Sequence, residues 1–235
     1  MYLAKLFLGI VLIFILIMWY CFARFFYVNY PDRFERRKVT ENDFESGDVL
    51  LTSFENYGKM ISNSLLRIEF MHPSIVVEKD DRKYVIELMN YNSKKGFHMM
   101  RLGEWIIRNK DNLFLLNKLS TPDKRKEISD KIIAYSYQYS EGENKINSVG
   151  GFGKKECFRY GYPSKDGYVE PDIKDNKTLC NEFIVFLLTK SEIILPTKSI
   201  EHYEPDQFIG MTGFDIANPY MYKEYFLCDI SNFFS

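Results

Sequence analysis

Cys180, His72 and Glu87 are the residues whose types and positions can do covalent chemistry together. Cys180 lies in KTLCNEFIVFLL, residues 177–188, where Cys180, Phe183, Ile184, Leu187 and Leu188 fall at i, i+3, i+4, i+7 and i+8. That spacing predicts one apolar face of a helix. It leaves two readings of the thiol. In one, Cys180 is a small core residue. In the other it stands at a helix N-terminus, where unpaired N–H groups and the positive end of the dipole favour the thiolate. The same N–H groups can hold an oxyanion on an attacked carbonyl, and Asn176 or Thr178 can cap the helix.

A nucleophilic thiol needs a base. His72 opens the β-branched run HPSIVVE, Asp80–Lys83 reads as a turn, and YVIELM follows with Glu87 inside it. The turn predicts an antiparallel hairpin. The start of its first strand then lies beside the end of its second, so His72 and Glu87 can be neighbours and the carboxylate can orient and polarise the imidazole. Glu87 has an apolar neighbourhood, and buried carboxylates seldom lack a partner. The only other histidines are His98, read as structural in a strand, and His202, read as a loop residue. A zinc site on His72, Glu87 and Cys180 is the metal-dependent alternative, but the chain lacks the firm ligand spacing of a motif such as HExxH. No metal or cofactor is expected.

The elements that must position these groups can be read along the chain. GDVLLT, residues 47–52, predicts a strand after a turn, and residues 57–69 a helix. GFHMMRL and NLFLLNKL predict two further strands. Thr121 and Pro122 open a helix whose buried side is Ile128, Ile132, Ile133 and Tyr135. Residues 140–176 are rich in Gly, Lys, Asp and Pro and read as a long irregular segment, whose Tyr160 and Tyr162 can line a cleft. EYFLCDI predicts a last strand. Strands followed by helices imply an α+β domain over residues 45–235.

Before that domain, Leu6–Ala23 reads LFLGIVLIFILIMWYCFA, eighteen uncharged residues. As a helix this run covers roughly 27 Å of a hydrocarbon core about 30 Å thick. Trp19, Tyr20, Phe26 and Tyr27 crowd its end as interfacial aromatics do. A cleaved signal peptide would have a shorter apolar region and a small-x-small site. Residues 1–28 therefore read as a retained transmembrane anchor and 29–44 as a juxtamembrane linker. Lys5 stands before the run, while Arg24, Arg33, Arg36, Arg37 and Lys38 follow it, which puts the large domain on the cytoplasmic side. Cys21, at the membrane edge, is read as inert rather than palmitoylated.

Composition narrows the field. The chain has 235 residues and a net charge of −1, without the clustered basic surface of a nucleic-acid binder. Four unevenly spaced cysteines argue against a disulfide framework and for a reducing environment.

The order of motifs resembles the circularly permuted NlpC-like branch of the papain fold, a group with YiiX-type bacterial proteins, poxviral relatives and lecithin retinol acyltransferase. The residues that carry the resemblance are GDVLLT, MHPSIVVE, YVIEL, GFHMMRLGEW and LCNEFIVFLL, and it covers about residues 45–210. It implies a permuted papain-like antiparallel sheet packed against helices. It further implies Cys180 as nucleophile, His72 as general base, Glu87 as the residue that orients His72, and Glu182 as the acid of the helix start. Asn181 stands where the family usually has Ser, and Pro73 where it has a small or aliphatic residue. The expected function is that of a membrane-anchored cysteine hydrolase or acyltransferase acting on a peptide amide or lipid acyl ester through a thioester. A viral or virion membrane is among the candidate locations. The alternative is a membrane or virion structural protein that keeps the fold without turnover.

Overall fold

The structure, a computed structural model, describes residues 2–29, 34–54, 70, 72–91, 94–120, 122–138, 147–148, 177–178, 180–195, 205–217 and 219–234. The helix expected at 57–69 lies outside them, as do Thr121, Asn176 and all of 140–176 except 147–148. The described residues form a mixed α+β arrangement with four α-helices and one large sheet.

The hairpin forms as its sequence predicts. Strands β3 (His72–Lys79) and β4 (Arg82–Tyr91) pair antiparallel, with Ile75 opposite Ile86 and Lys79 opposite Arg82. Asp80 and Asp81 make the two-residue turn with φ of 51° and 55°, the left-handed pair that matches the twist of a tight hairpin. β5 (Lys94–Arg101) pairs antiparallel with β4, and Glu87 stands opposite His98. On the other side of β3 lie β2 (Val49–Phe54) and then β6 (Asn112–Leu119). β7 (Tyr222–Asp229) pairs antiparallel with β6, and the short β1 (Arg36–Lys38) joins β7 in parallel. The seven-stranded order is β1-β7-β6-β2-β3-β4-β5.

Alternation along the strands gives the sheet two buried faces. Val49, Leu51, Ile75, Val77, Ile86, Leu88 and Leu115 cover one. Against it pack α3 (Arg125–Gln138), through Ile128 and Ile132, and α4 (Cys180–Lys190). Leu50, Val76, Val85, Phe114 and Leu116 cover the other, where α2 (Leu102–Arg108) docks Leu102, Trp105 and Ile106. The helix expected at Pro122 starts as a single 3-10 turn, Pro122–Lys124, before α3.

Two features differ from the sequence reading. Residues 181–189 of α4 are buried on all sides rather than along one face, the mark of a central helix. The stretch expected as a linker carries β1, and its Val39 and Phe44 are buried in the second face. Three charged residues, RRK, have no apolar rhythm to betray a strand, and their partner β7 is distant in sequence.

The Gly47–Asp48 pair begins β2 with a buried charge. Gly47 has a φ of 89°, and a Cβ there would lie 2.4 Å from Leu119 Cδ2, so only glycine fits. Asp48 is fully buried; its Oδ1 accepts the Leu119 N–H at 2.9 Å, and its Oδ2 accepts from the Glu45 N–H at 2.9 Å and Lys118 Nζ at 2.7 Å. Burial raises the Asp48 carboxyl to about 6, although Lys118 and the two N–H donors pull it down.

α1 (Tyr2–Asn29) precedes the sheet. Its described apolar side chains from Leu6 to Ile17, with Trp19 and Tyr20, include many that are 46–72% exposed. Among the described residues, no helix is long and apolar enough to cross a membrane.

Candidate active site

Three elements bring the candidate residues together. Cys180 is the first residue of α4, partly exposed, with Asn181 and Glu182 buried behind it. Glu182 adds an acid to the first turn, where the helix dipole favours negative charge. His72 is the first residue of β3, its side chain 15% exposed. Glu87, 1% exposed, is on β4 and projects to the second face with Val85. His72 Nε2 meets Glu87 Oε2 at 3.1 Å.

His72 also hydrogen-bonds Cys180. The imidazole therefore touches the thiol of a helix packed on one face and the carboxylate of the other, at the end of the strand between them. Burial alone would lower the His72 pKa. Its hydrogen bonds to Cys180 and Glu87, with the negative charge on both, outweigh that and raise it to about 10. Burial opposes the charge on Glu87 as well, but the contacts with His72 and Trp105 and the charge of Arg108 hold its pKa below the ordinary value. An ionised Glu87 fixes the tautomer: Nε2 carries a proton and donates it to Oε2. Nδ1 is then the nitrogen left to take the thiol proton.

One neighbour of the trio escaped the sequence reading. Trp105 Nε1–H donates to Glu87 Oε2 at 2.8 Å from α2. The GEW triplet holding it was visible, but nothing local distinguishes this tryptophan from a core residue. His98 is half-buried and faces Glu87 across the β4–β5 ladder. His202, Tyr160, Tyr162 and Cys157 lie outside the described residues. No group of three or more His, Cys, Asp or Glu side chains able to hold a metal ion occurs among the described residues. The other described thiol, Cys228 on β7, is pushed well above its ordinary pKa by burial.

No protein-family model and no curated protein matches the chain. Among solved structures, the chain is similar to the crystal structure of metalloprotein yiiX from Escherichia coli O157:H7, with 12% identity and a TM-score of 0.38. The alignment covers 63% of this chain and 66% of that one, just under two thirds of the neighbour's length.

Proposed function

We propose that the protein is a membrane-anchored cysteine hydrolase or acyltransferase of the permuted NlpC-like, papain-fold type. The observation that carries this reading is one imidazole in contact with both a helix-start thiol and a buried carboxylate. With the His72 pKa raised to about 10, Nδ1 already holds a proton near neutral pH, and in the first half-reaction the Cys180 sulfur attacks the carbonyl carbon of an amide or ester beside that imidazolium. The Cys180 N–H, at the helix start, stabilises the resulting oxyanion. The imidazolium returns its proton to the departing amine or alcohol as the carbon–nitrogen or carbon–oxygen bond breaks, leaving a thioester on Cys180. In the second half, His72 takes a proton from water or an acceptor alcohol or amine, which attacks the thioester; the acyl product leaves and the thiol is restored. Glu87 holds the ring and offsets its charge throughout.

Anchoring through residues 6–23 is supported by the eighteen-residue uncharged run and by the exposure of apolar side chains along α1. Residues 21–23, whose side chains lie outside the described set, complete that run. A tether at the bilayer raises the local concentration of lipid or membrane-protein substrates.

The test is to incubate the full chain with fluorogenic amides and acyl esters and to search for a Cys180-linked acyl group by mass spectrometry. Acylation lost in Cys180→Ala and in His72→Ala supports the enzyme. A fully folded protein that is never acylated, and turns over neither class, sinks it in favour of a structural membrane protein.

A further inference from the structure

Trp105 lies outside the proposed trio yet touches its carboxylate. Both donors to Glu87 converge on one oxygen: Oε2 receives the Trp105 N–H at 2.8 Å and His72 Nε2 at 3.1 Å. Oε1, equally buried, has no hydrogen-bond partner among the described residues. The indole is fixed by packing. It is fully buried, its ring centroid lies 5.2 Å from that of Phe114, and Leu102 and Ile106 dock the same helix against the second face.

We propose that Trp105 is a positioning residue that holds Glu87 Oε2 in line with His72 Nε2 and so sets how firmly the carboxylate supports the imidazolium. The proposal rests on the thiol-based reading of the site. The last torsion of a glutamate is soft and two-fold, so one donor alone allows either oxygen to face the ring, or neither squarely. A second donor on the same oxygen removes that freedom. The indole suits the task because it donates one hydrogen bond and carries no charge. A lysine or arginine there would help the carboxylate but repel the imidazolium. The charged and titratable groups around Glu87 are His72 on β3, His98 on β5, Arg108 one turn beyond Trp105, and Cys180 through His72.

A double-mutant cycle tests it. Alkylation of Cys180 by iodoacetamide is followed on the full chain by peptide mass spectrometry, from roughly pH 4 to pH 11, the span that brackets both limbs of a thiol–imidazole pair. Wild type, Trp105→Phe, Glu87→Gln and the double variant are compared. Trp105→Phe is expected to move the upper limb, loss of the imidazolium, to lower pH by about one unit. Glu87→Gln moves it further, and adding Trp105→Phe to Glu87→Gln moves it no more. Phe114→Leu, which loosens the indole's packing but leaves its N–H, lowers the melting temperature without moving the limb. If Trp105→Phe does not fold, Trp105→3-benzothienylalanine removes the N–H while keeping the ring shape.

An upper limb unmoved by removal of the N–H, or moved equally with and without the Glu87 carboxylate, overturns the assignment of Trp105. Those results leave the thiol reading intact. The thiol reading falls separately if wild-type Cys180 alkylates no faster than in the urea-unfolded chain at every pH.

Discussion

At the residue scale the central quantity is the proton on His72. Its folded pKa, about 10, lies above the ordinary value of 6.5. The pairing therefore contributes stability that is complete below about 6.5 and lost as pH rises through about 10. Urea unfolding of wild type and His72→Asn should differ most at about pH 6.5 and just below, and the difference should shrink from there toward pH 10. Glu87→Gln removes the charge behind the ring while keeping its shape. We expect a fall in kcat/KM on the order of a hundredfold, with the protein still folded, measured on whichever ester or amide is turned over. Thiol labelling should also separate the two described cysteines. Cys180 is partly exposed and hydrogen-bonded to a base, whereas burial keeps the Cys228 thiol protonated. A mild electrophile at neutral pH should mark Cys180 and spare Cys228 until the protein unfolds.

At the element scale, β2 depends on an ion pair at its entrance. Lys118 Nζ lies 2.7 Å from the buried Asp48 and 3.0 Å from Glu45. Removing Lys118 leaves Asp48 with its two N–H donors and the Arg125 guanidinium at 3.8 Å, at a cost of about 2 kcal/mol, less than for a buried charge left wholly unpaired. Lys118→Met should lower stability by that order near pH 7.5. Asp48 already takes up its proton near pH 6, and without Lys118 it does so higher still. Denaturation at pH 5 should therefore show a much smaller loss. The elements differ in how plainly the sequence marks them. The β3–β4 hairpin was legible because two β-branched runs flank Asp-Asp, residues that tolerate a positive φ. β6 was legible in full, and so was α3 after its proline. β1 was not, because an edge strand of three charged residues has no apolar alternation and takes its register from a distant partner. The trio could be listed from residue types and strand geometry, with the family resemblance adding roles. Trp105 could not, because its partner lies 18 residues away and a buried tryptophan in a short helix has many simpler explanations.

At the scale of the whole molecule, the proposed anchor and the candidate site make opposite demands on solvent. The domain buries its apolar residues on both faces of a sheet, whereas α1 leaves Leu6, Phe7, Leu8, Phe14 and Trp19 more than 60% exposed. An apolar surface of that extent needs cover in water, and the uncharged run around it has the composition of a bilayer span. The anchor therefore makes a prediction independent of the chemistry. Expressed as the full chain, the protein should sediment with membranes and resist extraction by alkaline carbonate. Replacing both Leu12 and Ile13 with Arg should release it, because two charges near the middle of a span cost about 5 kcal/mol or more to insert. The five basic residues after the run, Arg24, Arg33, Arg36, Arg37 and Lys38, against Lys5 before it, fix the expected orientation. Protease added to intact cells should leave the domain whole and cut it only after permeabilisation. A chain that is freely extractable, or cleaved from outside, would detach the proposed thiol chemistry from a cytoplasmic membrane surface. It would leave the Cys180, His72 and Glu87 contacts to be tested on soluble substrates alone.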